Sequence, residues 1–303
     1  MSSIQFSIVA AALSNDPREA VRVSREMGFA GVQLDAYGAG MRMPDLSATG
    51  RREFRQMVAA QNQQIVSFRV DLGSKGFGPG ADVDRLLNGL DRALETAAGM
   101  GVGMVSVDVG LLPEPAREAV VRPPISQSQA GLILLPESFA TTAADAAPAS
   151  PPPDPAFVGQ VNAALGELGA MAERYSVIAA LRTDLSSFAA VHAVLRHAGC
   201  AWFGIDLDPA AVLHDEWPID DLFTRLGDSI RQVRGRDAIG GSARRTRPAV
   251  VGQGDTQWAA LLANLSGVGF AGWLTVDPIE LPDRKLAAAA GVKYLRSLLQ
   301  ALV

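Results

Sequence analysis

Apolar residues along this chain fall into short runs that alternate with longer stretches of helical periodicity. Runs at residues 4–9, 31–35, 65–70 and 103–109, and again at 177–181, 202–207, 230–234 and 272–276, have the length of buried strands. Between them the period changes. Asp16-Pro17-Arg18-Glu19 supplies an N-cap, a proline at the first helical position and a capping-box glutamate. Ala20, Val23 and Met27 then follow at helical spacing, and Gly28 stops the helix. A second helix is expected over 45–63, with Phe54, Met57 and Val58 on one face. A third is expected over 83–100, where Leu86, Leu87, Leu90 and Leu94 are spaced by threes and fours. Further helices are expected over 157–174, 188–197, 220–226 and 258–265, and a last one from about 283, with Leu286, Val292, Leu295 and Leu299 facing inward.

Eight strands alternating with eight helices describe an α/β protein, a single (β/α)8 TIM barrel over residues 1–303. A doubly wound sheet would carry a glycine fingerprint after its first strand. Here Ala10-Ala11-Ala12-Leu13 stands in that place. The regularity breaks once, after the fourth strand. Residues 111–155 hold ten of the chain's eighteen prolines, a density that blocks helix and central strand alike. The segment reads as an inserted loop with one short extended piece at 132–135. It could be a lid over the chemical face or an insertion without a role.

Composition narrows the classes. With 48% apolar and 19% charged residues the chain can bury a large core. A net charge of −5 argues against phosphate-held nucleic acid as a partner. There is no basic n-region ahead of the first strand and no apolar run of membrane-spanning length, about 18 residues, so neither a membrane nor export is expected, and the cytoplasm is. Cys200 is the single cysteine, which excludes an intramolecular disulfide and a thiolate metal cluster. A homo-oligomer stays open.

Familiar motifs fail one by one. Gly99-Met-Gly-Val-Gly103 precedes a strand instead of following one, so it reads as a helix stop, not a phosphate loop. The glycine-rich run 73–80 around Lys75 lacks the ending of a phosphate loop and reads as a mobile loop. No Gly-x-Ser-x-Gly elbow is present. His192 and His197 are five apart on a helix and point in different directions, while His214 lies after the sixth strand, within reach of the barrel mouth.

The strand ends carry the candidate chemistry. In a barrel of this kind reactive groups sit at the carboxyl ends of strands. Here these ends bear Asp71, Asp108, Arg182-Thr183-Asp184, Asp206-Leu207-Asp208, Arg234-Gly235-Arg236-Asp237 and Asp277. Arginine forks and carboxylates together can hold a small carbohydrate or anion. They can equally form a self-satisfied ion-pair network that closes the barrel top.

At these residues the chain resembles the xylose isomerase-like barrel superfamily, which includes sugar phosphate isomerases/epimerases, ketose 3-epimerases and inosose dehydratases. The matching pieces are Met27-Gly-Phe-Ala-Gly-Val-Gln-Leu34, Phe203-Gly-Ile-Asp-Leu-Asp-Pro209, Arg234-Gly-Arg-Asp237, Val251-Gly-Gln-Gly-Asp-Thr-Gln-Trp258 and Gly269-Phe-Ala-Gly-Trp-Leu-Thr-Val-Asp277. The resemblance implies one divalent metal, Mn or Mg, held by a glutamate, an aspartate, a histidine and a glutamate from strands five to eight. By motif position these fall on Arg182, Asp208, Arg234 and Asp277. Arginine has no lone pair to donate, so no metal or other cofactor is expected. The two guanidiniums would replace the cation, pairing with Asp208 and Asp277 and leaving donors for an anion. The resemblance also relates this barrel to endonuclease IV, but three histidines cannot supply that enzyme's zinc ligands.

Two functions remain. One is an isomerase/epimerase with altered chemistry, in which Asp277 and Asp208 are the catalytic candidates. Arg182, Arg234, Arg236, Asp108, Asp71 and His214 would then bind substrate. The other is a non-catalytic barrel, a pseudoenzyme, that binds a small ligand or a protein partner.

Overall fold

In the computed structural model, which describes residues 4–115, 154–183, 186–240 and 245–301, eight parallel strands close into a barrel. They are β1 (Gln5–Val9), β2 (Gly31–Asp35), β3 (Gln64–Asp71), β4 (Met104–Asp108), β5 (Ile178–Arg182), β6 (Phe203–Leu207), β7 (Ile230–Gly235) and, as the eighth, β10 (Trp273–Val276). The ring runs β1-β10-β7-β6-β5-β4-β3-β2, and each strand is bonded in parallel to its neighbours. An antiparallel hairpin, β8 (Asp237–Gly240) and β9 (Thr246–Ala249), follows β7. The loop expected after the seventh strand therefore carries its own pairing, with Arg244 outside the described residues.

The principal helices lie where the apolar period places them: α1 (Pro17–Glu26), α2 (Ala48–Ala60), α3 (Val83–Met100), α4 (Pro155–Tyr175), α5 (Phe188–Ala198), α7 (Ile219–Leu226), α8 (Trp258–Gly267) and α9 (Arg284–Ala301). Asp16 caps α1 through Arg18 N at 2.9 Å. Ser47, whose hydroxyl accepts from Gly50 N at 3.1 Å, starts α2 later than expected, because Met43–Asp45 form a separate 3-10 turn. A six-residue helix, α6 (Pro209–His214), was not legible in the periodicity; Asp208 caps it through Ala210 N at 3.1 Å.

One expectation is corrected. Leu286 does not face inward; it is 67% exposed. It lies nine residues before Leu295, and nine steps of about 100° put it half a turn away from that buried residue. Within the run 73–80, residues 76–78 are buried and the rest are exposed. Phe77 is buried, and Gln160 on α4 donates to the carbonyls of Phe77 and Gly78 at 2.7 and 2.9 Å. Gly76 has a positive φ of 49°, and a Cβ there would lie 1.7 Å from the Val109 carbonyl oxygen.

Residues 116–153, most of the expected insertion with its lid reading and its extended piece, lie outside the described residues. Its last residue, Pro155, is already the first residue of α4. None of the described helices is long and apolar enough to cross a membrane.

The core is the layer between strands and helices. Ile8, Val32, Leu34, Phe68, Val105, Val107, Ile205, Val233 and Leu274 pack against Leu90, Leu94, Leu165, Leu168, Leu222 and Leu262 from the helices. On these strands the alternate residues point the other way, into a barrel interior that is polar.

Candidate functional site in a polar barrel interior

Arg234 on β7 organises the interior, although its side chain is wholly removed from solvent. Its Nη2 donates to Asp206 Oδ2 at 2.7 Å, Gln33 Oε1 at 3.1 Å and Ser106 Oγ at 3.2 Å, while its Nη1 donates to Asp277 Oδ2 at 2.8 Å. These acceptors stand on β6, β2 and β4 and just beyond β10. Since β2 and β4 are not neighbours of β7 in the ring, the contacts cross the axis. Ser106 Oγ in turn donates to Asp206 Oδ2 at 2.5 Å. Lower down, Gln33 Nε2 donates to Ser67 Oγ at 2.8 Å and Ser67 Oγ to Gln232 Oε1 at 2.9 Å, and Ser7 and Thr275 share a 2.7 Å hydroxyl contact. Most barrels of this kind fill that space with branched apolar side chains.

Above this layer a second ring of ion pairs closes the mouth. Arg182 at the end of β5 bonds Asp108 at the end of β4, and its Nη1 lies 3.6 Å from Asp208. Arg236, just past β7, bonds Asp208 and reaches Glu280 at 2.8 Å. Arg69 near the end of β3 donates to Asp35 at 2.6 Å and lies 3.8 Å from Asp277. Arg234 thus pairs with Asp277 as expected. Asp208, by contrast, is held more closely by Arg236 than by Arg182.

These charges set the carboxyl chemistry. Burial pushes Asp277 up, but Arg234, Arg69, Arg236 and Arg182 pull it down further, and it ends below the usual aspartate value. Asp208 behaves alike: burial raises it, and Arg236, Arg182 and Arg234 more than offset this. Both are therefore carboxylates at neutral pH, and weak bases.

The remaining candidates divide. Asp71 is exposed and accepts from Gly73 N at 2.7 Å, closing the turn after β3. His214 ends α6, where its Nδ1 lies 3.1 Å from Thr246 Oγ1 on β9. It shares with Arg236, Thr246 and Glu280 a cleft of about 370 Å³ between α6 and the hairpin. Asp184 lies outside the described residues.

Asp237, beside Arg236, has an architectural part. Its carboxylate accepts from the backbone N–H groups of Ala238, Gly252, Gly254 and Thr256 and from Trp258 Nε1, at 2.8–3.2 Å. Gly252 takes φ 86° there, with the Tyr294 ring 2.6 Å from where a Cβ would stand. The Val251–Trp258 motif is therefore a turn wrapped around a buried carboxylate.

Sequence reasoning missed Arg69, Asp35, Gln33, Ser67, Ser106 and Gln232. The signal was present as period-2 alternation: Gln33-x-Asp35, Ser67-x-Arg69, Ser106-x-Asp108, Asp206-x-Asp208, Gln232-x-Arg234-x-Arg236 and Thr275-x-Asp277.

The four positions where a divalent cation would be held do not make a donor set for one. Arg182 and Arg234 offer only N–H groups and positive charge. Oδ2 of Asp208 and Oδ2 of Asp277 are each engaged by guanidiniums. Among the described residues no cluster of three or more His, Cys, Asp or Glu is placed to hold a metal ion.

Comparison with known proteins agrees with the architecture. No curated protein sequence matches the chain. Among solved structures, a xylose isomerase domain protein from Planctomyces limnophilus superposes with a TM-score of 0.72 at 16% identity, covering 99% of this chain and 96% of the other. D-psicose 3-epimerase from Clostridium cellulolyticum H10, solved with D-tagatose, gives 0.68 at 12% identity over 98% and 99%. The 3-keto-D-glucoside 4-epimerase of E. coli gives 0.64 at 17% identity over 98% and 100%. At such identities the likeness is one of fold. The family model of the xylose isomerase-like TIM barrel matches residues 21–298, and the chain belongs to that family.

Proposed function

We propose that this barrel binds a small polyhydroxyl ligand at its mouth without a divalent metal, and that the isomerase or epimerase chemistry of its structural neighbours has been replaced by a fixed ion-pair network. One observation carries the reading: Asp208 and Asp277, the carboxylates left at the metal positions, are both engaged by guanidiniums. A base held in this way has little affinity for a substrate proton. The electrostatic part of the metal's work, neutralising these carboxylates, falls to Arg182, Arg234 and Arg236.

An uncharged polyol suits the mouth better than an anion. Among the described residues Arg69, Arg182, Arg234 and Arg236 face Asp35, Asp108, Asp206, Asp208, Asp277 and Glu280, so the carboxylates outnumber the guanidiniums. The cleft between α6 and the hairpin offers acceptors and donors together in Glu280, Arg236, His214 and Thr246. Its volume of about 370 Å³ accommodates a monosaccharide-sized molecule.

Two measurements test this reading. Elemental analysis of protein prepared without a metal-affinity step should find no stoichiometric divalent metal. A thermal-shift panel of sugars, sugar phosphates and carboxylates, with and without Mn²⁺, should give stabilisation by an uncharged sugar or cyclitol that is indifferent to Mn²⁺. Stoichiometric metal or Mn²⁺-dependent stabilisation would restore a metal-dependent isomerase. Stabilisation by anions alone would overturn the polyol assignment.

A further inference from the structure

A second cavity lies on the far side of α6. Ala210, Ala211 and His214 border the mouth cleft, whereas Pro209, Val212 and Leu213 border a groove of about 390 Å³ that also takes in the start of α7 and the start of α8. The floor of this groove is apolar, with Leu213, Trp217, Ile219 and Leu261. Ile219 is 39% exposed, one of few large apolar side chains left open among the described residues. Trp217 is anchored from behind, its Nε1 donating to the Ser186 carbonyl at 2.9 Å and its ring set edgewise to Phe188, which gives the floor a rigid wall. A single exposed isoleucine needs no explanation, but a concave apolar surface of ligand size does.

The charges at the groove decide what fits. Among the described residues its only charged lining side chains are Glu216 and Asp255, both acidic and both exposed. Asp255 uses Oδ2 to accept from Gly240 N at 2.6 Å. Asp220 and Asp221 stand in the first turn of α7, the latter paired with Arg225 at 3.6 Å. An anion would be repelled, whereas a cation gains a modest attraction from these exposed carboxylates that an uncharged molecule does not. We infer that the groove is a second ligand site, separate from the barrel mouth, for a small organic cation with an apolar body: an amine or guanidinium at the rim, its hydrocarbon part on Trp217, Ile219 and Leu261.

The experiment uses the full chain at physiological salt, with 2-phenylethylamine as probe and 3-phenylpropionate as its charge-reversed match. Calorimetry and thermal shift should show saturable binding of the amine and none of the acid. Ala260→Trp, which fills the groove, should abolish amine binding. Ile219→Lys, at an exposed position that tolerates a polar residue, should do the same by placing a positive charge on the floor, and it keeps the test open if the tryptophan variant fails to fold. Glu216→Gln should weaken binding roughly three- to fivefold, the scale of one exposed ion pair. Equal binding of amine and acid, binding of neither, or amine binding that survives both groove variants would overturn the inference.

Discussion

The two faces of the same eight strands make opposite uses of burial. Facing the helices, Ile8, Leu34, Phe68, Val105, Leu274 and their neighbours form an apolar layer in which contact is non-directional and tolerance depends on volume. Facing the axis, Gln33, Ser67, Ser106, Asp206, Gln232 and Arg234 are as deeply buried, yet they are held by directed bonds. The difference teaches where each kind of robustness lies. Area removed from water stabilises the shell at about 25 cal/mol per Å². A buried ion pair contributes little net stability, because desolvation offsets attraction, but losing one partner leaves the other charged and stranded.

The contrast is most exposed at Arg234. Arg234→Met should lose about 3–5 kcal/mol of unfolding free energy, because Asp206 and Asp277 are left without their shared cation. Adding Asp206→Asn and Asp277→Asn to that variant should recover part of the loss, since the stranded charge is gone. In the shell Leu94→Ala should cost about 2–5 kcal/mol, and no second substitution of a polar neighbour should rescue it. Urea unfolding of the four proteins measures this. Equal behaviour at the two sites would erase the distinction drawn between the faces.

Acid titration sharpens the same comparison. Asp208 and Asp277 are held below their ordinary values, so the stability they contribute is complete above the unfolded aspartate pKa of about 3.9. It is lost as pH falls through their lower folded values. Their contribution should therefore be flat above about pH 5 and fall on acidification, with Asp277→Asn showing a shallower acid limb than the parent. An unchanged acid limb in that variant would mean that Asp277 does not feel the arginines around it.

The smallest effect is expected at the surface. Arg174 and Asp91 make an exposed 2.6 Å pair between α4 and α3. Arg174→Ala should change stability by less than about 1 kcal/mol, and that little should shrink further in salt. A loss comparable to that of Arg234→Met would show that burial is not what sets the two apart.

The strand and helix order was legible because one strand face and one helix face must be apolar, and those periods survive in a single sequence. Arg182 and Arg234 were legible as strand-end residues for a related reason: the strand ends are marked by motif and by the change from apolar to polar. Less was visible wherever an element is short or is fixed by contacts distant in sequence. The six residues of α6 hold too few turns to show a period, and the β8–β9 hairpin is bracketed by Asp237, whose carboxylate gathers the backbone N–H groups of Gly252, Gly254 and Thr256 and the Trp258 indole N–H. Asp237 looked like a candidate for chemistry, and the fold makes it the post around which a turn is wound.

By itself, then, the sequence determined the barrel, since alternation and helical period act over neighbouring residues and need no knowledge of partners. It also showed that Arg182 and Arg234 stand at the carboxyl ends of the fifth and seventh strands. Only the tertiary structure decided who pairs with whom: that Arg234 reaches across the axis to β2 and β4 and sideways to β6, that Arg236 holds Asp208 more closely than Arg182 does, and that Arg69 joins the ring. The physical reason is closure. Residues on strands far apart in the chain become neighbours only when the eighth strand bonds to the first, and the inner faces then have nowhere to put their polar groups except on one another.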